Sequence, residues 1–395
     1  MPVGDPATAV IRLERGGCYG ACPVYSVELR GNGAVTYQGA CNVVVDGRHS
    51  YQVPRSEVID LLRLTKSADF WSLKDRYIYG VTDNPTYTLS VTVGGRTKVV
   101  EDYVGLKAGM PKAVADLEDS VDRVAAVQRW LVGDQSTVAA LQAEAWDFRG
   151  QTAAHTLTRA AANAPEAVAV QFLALGAPPI TRSVRSDCYP PSQTSAVEAA
   201  ASGRKIILMR RLISAGAFRS QHEKDRALSG SIESGDPGIA REILTFHPDV
   251  NARLDESNGT PLLLISQGAH SFTDNDKVQT DYPQITRLLL AAGANPSLTD
   301  SSGNTPLHAT LDSGIAKVLI AGGAPLEARN HDGETPLLAT FDEDVAMSLI
   351  DAGANVKART PDGSSIRDIA AAKHWARVLR RLDARPGAKR PSERH

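Results

Sequence analysis

Between Gly303 and Ala354 the chain nearly copies itself. Gly303-Asn304-Thr305-Pro306-Leu307-His308 returns as Gly333-Glu334-Thr335-Pro336-Leu337-Leu338, and Gly323-Ala324-Pro325 returns as Gly353-Ala354-Asn355. Both markers recur after 30 residues. A unit of that size leaves apolar faces that only its neighbours can cover, which confines the chain to a stacked array. Thr305 before Pro306 reads as an N-cap followed by proline at the first helical position, where a missing N–H is no loss. A first helix should start there, with Leu307 and Leu311 pointing one way. After a tight turn near Ser313-Gly314, a second helix should run through Ile315, Val318, Leu319 and Ile320, and Gly323 supplies the left-handed residue past its end. The stretch from Pro325 to Gly333 carries Glu327, Arg329, Asn330, His331 and Asp332. It is too polar for a core and should project as a hairpin-like loop.

Weaker copies lie upstream. Gly150-Gln151-Thr152-Ala153-Ala154-His155 leads to Gly176-Ala177-Pro178, Thr194-Ser195-Ala196 to Gly216-Ala217, Arg226-Ala227-Leu228 to Phe246-His247-Pro248, and Thr260-Pro261-Leu262 to Gly293-Ala294-Asn295. A last unit opens at Gly363-Ser364-Ser365-Ile366. Its Trp375, Val378 and Leu379 stand beside Lys373, Arg377, Arg380 and Arg381, the polar outer face that a terminal capping unit needs. The period and the Thr-Pro-Leu-His signature resemble the ankyrin repeat, a turn followed by two antiparallel helices. On that resemblance residues 141–383 form an all-α solenoid of about seven helix-turn-helix repeats. Residues 384–395, with Pro386, Gly387 and Pro391 among four Lys/Arg, should be a disordered basic tail. The usual ankyrin period is about 33, so the 30-residue units should have shortened the turn between their helices. Thr260 to Thr305 spans 45 residues, which places an insertion in 266–283. Its Asp274, Asp276 and Asp281 lack the glycine and bidentate glutamate of a calcium loop, and we read it as solvated. A second insertion falls at 182–192.

Residues 8–132 are patterned differently. Ala9 to Leu13 is a short apolar strand, and Tyr25, Val27 and Leu29 alternate with polar neighbours before Gly31-Asn32-Gly33 turns the chain into Val35 and Tyr37. Ser56 is a candidate N-cap for a helix through Val58, Ile59, Leu62 and Thr65, with Phe70 and Trp71 closing its end. A second hairpin pairs Tyr87–Val93 with Lys98–Tyr103 across Gly94-Gly95. Pro111 opens a second helix with the stripe Val114, Leu117, Val121, Val124 and Leu131. The expected fold is an α+β domain of two hairpins and two helices.

Its most unusual stretch is Gly17-Cys18-Tyr19-Gly20-Ala21-Cys22-Pro23-Val24-Tyr25. Together with Val81-Thr82-Asp83-Asn84-Pro85-Thr86, it resembles the bacterial DUF6438 family, a resemblance that implies no activity. Four readings of Cys18 and Cys22 stay open. The first is a Gly-rich turn with two small buried thiols. The others are a disulfide in an oxidising compartment, a redox pair at wider than thioredoxin spacing, and a metal site completed by Cys41 and His49.

Charge favours no electrostatic partner: 43 basic residues stand against 45 acidic ones. Neither nucleic acid nor membrane is expected as a partner. No run of eighteen apolar residues exists, and residues 1–6 lack the basic and apolar regions of a signal peptide. The expected location is cytoplasmic, or periplasmic or secreted if a leader has been removed. There is no Gly-x-Ser-x-Gly, no phosphate-cradling glycine loop and no His-Glu-x-x-His. His155 and His308 sit where the ankyrin resemblance implies a turn-bracing histidine. The pairs Arg210-Arg211 and Arg380-Arg381 read as solvated helix faces. No enzyme activity and no cofactor is expected.

The resemblance to ankyrin arrays implies binding of a protein partner through loop tips and first helices. In the clean units this nominates Ser297, Thr299 and Asp300, then Glu327, Arg329 and His331, then Lys357, Arg359 and Thr360, as exposed polar groups on a rigid scaffold. The alternative is thiol-redox or metal-dependent chemistry at Cys18 and Cys22, with the array as a targeting module.

Overall fold

A computed structural model of the chain describes residues 4–180, 195–254, 259–268 and 280–384. The 182–192 insertion, Asp274, Asp276 and tail residues 385–395 lie outside the described residues. The chain divides into two compact units, Met1–Val197 with Ile207–Ala217, and Glu198–Ile206 with Phe218–His395.

The first unit opens with β1 (Val10–Arg15), β2 (Val24–Arg30), β3 (Ala34–Cys41) and β4 (Gly47–Gln52), followed by α1 (Arg55–Ser67). Then come β5 (Arg76–Ile78), β6 (Tyr87–Val93), β7 (Arg96–Tyr103) and α2 (Lys112–Val124). The strands form one seven-stranded sheet in the order β4-β3-β2-β1-β6-β7-β5. All pairings are antiparallel except β5 with β7. The period-two pattern is realised directly: Ile11, Leu13, Val27, Leu29, Val35, Tyr37, Leu89, Val91 and Val100 are all fully buried. Helix α2 lies on β1 and α1 on α2, so Val58, Leu61, Leu117 and Val121 join the same core. Gly94 and Gly95 turn β6 into β7 with φ of 57° and 76°, the left-handed pair that a two-residue hairpin requires.

Three expectations change here. The sheet has β4 and β5 beyond the two hairpins. Helix α1 begins at Arg55 after Pro54, so Ser56 lies inside the first turn and does not cap it. The stripe from Val114 does not continue to Leu131, because the chain breaks at Ala126, φ 49°, and restarts as the short α3 (Gln128–Leu131). Trp130 of α3 is fully buried, with His49 stacked on it at 4.5 Å between ring centroids.

Helices α4 (Thr137–Ala143), α5 (Gln151–Asn163) and α6 (Glu166–Ala174) complete the first unit's main run. They are tied to the sheet. Arg159 of α5 pairs with Asp46 at 2.8 Å and donates to the Val44 carbonyl at 3.0 Å, while Val44 and Val45 donate to the carbonyls of Leu131 and Trp130 at 2.9 Å. Glu144, just past α4, meets His49 Nδ1 at 2.7 Å. Helices α7 (Ala196–Ser202) and α8 (Ile206–Ser214) carry residues of both units.

The second unit continues with five helix pairs. These are α9 (Gln221–Ser234) with α10 (Pro237–Leu244), α11 (Pro261–Gly268) with α12 (Tyr282–Ala291), and α13 (Pro306–Ala309) with α14 (Ser313–Ala321). The last two are α15 (Pro336–Ala339) with α16 (Glu343–Asp351) and α17 (Ile366–Ala372) with α18 (Ala376–Asp383). The first helices of successive pairs pack on one another, and so do the second helices, giving a two-layered stack. Counting α5/α6 and α7/α8, the described residues hold seven consecutive helix pairs.

The 30-residue units are shortened differently from expectation. Their first helices, α13 and α15, are only four residues long. The second helix starts earlier than Ser313-Gly314 would have it as a turn, because Asp312 caps α14 by accepting from Gly314 N at 2.6 Å and Ile315 N at 2.9 Å. Leu311 consequently falls outside the helix and is 41% exposed rather than core. One period on, Phe341 is 76% exposed, with Lys373 Nζ 3.9 Å from its ring centroid.

Candidate functional site

The polar stretches between helix pairs are hairpin tips, and three of them share one construction. Asp300, Asn330 and Thr360 each donate their backbone N–H to the carbonyl four residues on, at 3.0 Å, and each accepts from the glycine three residues on. Those glycines, Gly303, Gly333 and Gly363, have φ of 78°, 73° and 89°, so a side chain there would be strained. Asp300 Oδ1 further accepts from Ser302 N and Asn304 N at 2.9 Å, and Asn330 Oδ1 from Asp332 N at 3.1 Å and Glu334 N at 2.9 Å. The short polar side chain is therefore the internal brace of each tip.

That brace corrects two of the nominated residues. Asp300 and Thr360 are buried at 9% exposure rather than exposed. Asp300 also takes Gln267 Nε2 at 3.1 Å, and the Thr360 hydroxyl is engaged by Asp362 and the Ser364 carbonyl. Thr299 is half-buried, while Ser297, Glu327, Arg329, His331, Lys357 and Arg359 are exposed.

Neighbouring tips are joined through backbone as well as side chains. His331 N donates to Ser302 O at 3.0 Å, and Asn355 N donates to Glu327 Oε1 at 2.7 Å. Arg329 reaches the Arg359 carbonyl at 3.4 Å, and it also bonds the Gly333 carbonyl of its own tip. Arg359 repeats the second contact on Gly363 O at 2.6 Å. The positions 299, 329 and 359 thus lie side by side, and the exposed groups form one row across adjacent units. Two contributors escaped sequence reasoning: Arg253, which donates to Thr299 O at 2.6 Å, and Asn251, which accepts from Asn295 N at 2.8 Å. The 45-residue spacing of that unit conceals their equivalence to Arg329 and Glu327, although alignment on the tips rather than on Thr260 would have exposed it.

His308 is a brace. It is buried, its Nδ1 accepts from Thr305 N at 3.1 Å, and its Nε2 meets the Glu334 carbonyl of the next unit at 3.1 Å. Burial holds the imidazole below its usual protonation range, which keeps Nδ1 free to accept.

Cys18 and Cys22 form a disulfide, with their Cα atoms 5.6 Å apart. The reading of two buried thiols is overturned, since both residues are half-buried and bonded to each other. Cys41 is disulfide-bonded as well, which removes the thiolates that the proposed metal site required. His49 is turned away from such a role, its two ring nitrogens meeting Glu144 and the Asp46 carbonyl.

These features define a class: an α+β sheet domain followed by stacked helix pairs with projecting hairpin tips. Comparison with known proteins agrees at both ends. Residues 9–125 match the domain of unknown function DUF6438, and residues 302–331 match the ankyrin repeat. The chain is 32% identical over 118 residues to Rabankyrin-5 of Homo sapiens, covering 28% of this chain and 10% of that protein. It is 31% identical over 115 residues to Rabankyrin-5 of Mus musculus, covering 27% and 10%. The chain therefore spans about a tenth of the length of these curated relatives. No helix among the described residues is long and apolar enough to cross a membrane.

Proposed function

We propose that the helix pairs are about seven ankyrin-type repeats forming a non-enzymatic protein-interaction module, which binds a protein partner through its hairpin tips and first helices. The observation that carries this reading is the row Ser297, Glu327, Arg329, His331, Lys357 and Arg359, exposed on tips that are hydrogen-bonded to one another through backbone and side-chain groups. Side chains on a backbone already held in place lose less freedom when a partner docks, so more of their contact energy appears as affinity. The test is affinity capture with the full chain, followed by capture with a chain in which Arg329, His331 and Arg359 are alanine. A protein retained by the first and released by the second is the expected result, and identical capture profiles would count against the tips.

Metal chemistry at Cys18 and Cys22 gains no support, because both sulfurs are held in one bond and the described residues contain no metal-ligating cluster of three or more His, Cys, Asp or Glu; a thiol-redox role gains none either, since a structural bridge and an oxidised redox pair show the same bond. The disulfide instead speaks for an oxidising compartment over a cytoplasmic one. Thiol titration of the protein isolated from its native source tests this: no reactive thiol at Cys18 and Cys22 is expected, and two would favour the cytoplasm.

A further inference from the structure

On the sheet domain lies a recess of about 270 Å³ that the interaction role leaves unused. Its inner end is made by Glu118 of α2 and Asp102 of β7, its walls by Tyr87, Val104 and Leu106, and its rim by Asn84 and Asp119. Glu118 is the unusual member. It is only 2% exposed, and its Oε1 has no hydrogen-bond partner. A buried polar atom left unmatched costs stability, and such groups in a cavity wall point to something the cavity holds.

The charges around the recess decide what that is. Arg15 is the cation beside it, and it is already matched: it contacts Asp122 at 2.6 Å and Asp119 at 3.4 Å, and it lies over the Tyr87 ring at 4.2 Å. Asp102 Oδ1 holds the Gly105 N–H at 2.5 Å. Counting Asp102, Asp119 and Asp122 against Arg15, the surroundings stay negative even with Glu118 uncharged. An anion is therefore disfavoured and a cation favoured. No metal-ligating cluster of three or more such groups occurs among the described residues, and the apolar walls suit a hydrocarbon stem.

We propose that this recess binds a primary alkylammonium group, with the ammonium seated against the Glu118 carboxyl group and its stem against Tyr87, Val104 and Leu106. A free amine and a lysine side chain share this chemistry. The groups acting on Glu118 are Arg15 from β1, Asp102 from β7, and Asp119 and Asp122 from its own helix. Burial first, then the three carboxylates, push its carboxyl up to about 8, against the opposing effect of Arg15. The empty recess thus carries a neutral carboxyl at neutral pH, and an entering ammonium displaces that proton. Affinity should rise with pH, by roughly tenfold per unit below about 8, and level off above it.

The test titrates the full chain with n-butylammonium chloride by calorimetry at pH 6 and pH 9, using sodium butyrate and potassium chloride as comparisons and Nα-acetyl-lysine methylamide as the side-chain probe. We expect saturable one-site binding of butylammonium at pH 9, weaker by about a hundredfold at pH 6. Glu118→Gln, which keeps shape but cannot ionise, should weaken it at least tenfold and flatten the pH dependence. Ala115→Phe, which fills the recess while leaving Glu118 intact, should block it, with folding of both variants checked by circular dichroism. Binding of the lysine probe as well would extend the site to peptides, and its failure would restrict the site to free amines. Absence of saturable butylammonium binding by the folded wild type at pH 9 overturns the proposal, as does unchanged affinity in a folded variant or binding of butyrate in its place.

Discussion

Asn330 donates its side-chain amide to Asn304 Oδ1 at 2.9 Å, joining two hairpin tips one period apart. Asn304 in turn donates to Asp300 Oδ2 at 3.3 Å, and Gln267 donates to the same oxygen at 3.1 Å. The chain of bonds has a direction, from Asn330 through Asn304 to Asp300, and each link needs an amide upstream of an oxygen. The row of exposed side chains depends on this relay for its spacing.

Asn330→Ala removes both the brace within its tip and the link to Asn304, and should cost about 1–3 kcal/mol in denaturant unfolding. Asn330→Asp keeps the oxygen that accepts from Asp332 N and Glu334 N but sets a carboxylate against Asn304 Oδ1. A smaller loss of about 1 kcal/mol is expected. Equal stability of all three proteins would show that the relay contributes nothing.

A pH effect follows from His308. Its native pKa is lowered by burial from the ordinary 6.5, so the unfolded chain takes up a proton at a higher pH than the native one does. The stabilisation is therefore present above 6.5 and is lost as the pH falls below it. His308→Leu places at this position the residue that Leu338 supplies one unit later, and Leu338 is 4% exposed there. Melting temperature measured from pH 7.5 to 5 should decline less steeply in His308→Leu than in the wild type. Parallel declines would remove His308 from the explanation.

Deleting residues 364–395 takes away α17 and α18, which pack on α15 and α16. Leu337, Leu338 and Leu349, now 1%, 4% and 0% exposed, would face water. The outer helix also ends in charge contacts, Arg377 with Glu343 and Asp344, and Arg381 with Asp351. Light scattering should show aggregation of the truncated protein. A monomeric product with the wild-type melting profile would mean that the last pair is not a cap.

Much of this was legible in the sequence, and the failures share a cause. Thr305-Pro306, Gly323 and the 30-residue spacing located the helix starts and ends, because caps and left-handed glycines are local requirements. Strand β4 was missed because Gly-Arg-His-Ser-Tyr-Gln carries no apolar alternation, and His49 stacks on Trp130, 81 residues away in sequence. Three-residue β5 takes its structure from the β7 edge it pairs with. Asp300 and Thr360 looked like surface groups because short polar residues in a loop read as wet, and their bracing roles depend on partners within the tip that sequence does not display, backbone N–H groups for Asp300 and the Asp362 carboxylate and Ser364 carbonyl for Thr360. Glu118 did leave a signal: it falls four residues after Val114 and three before Val121, on the buried stripe of α2. The open alternatives for Cys18 and Cys22 depended on whether two side chains meet, which a spacing alone does not decide.

The hairpin tips are proposed as the docking surface for a protein partner. Arg329 and Arg359 stand at equivalent positions, and Arg329 contacts the Arg359 carbonyl at 3.4 Å, so their replacement removes adjacent parts of a single patch. The most direct measurement is the dissociation constant of the captured partner for the wild type and for the variant Arg329→Ala, His331→Ala, Arg359→Ala, with helical content and melting temperature followed alongside. The prediction is a loss of more than about 2 kcal/mol, roughly thirtyfold, at unchanged helical content. Full affinity in the folded triple variant would contradict the account and place the partner elsewhere on the chain.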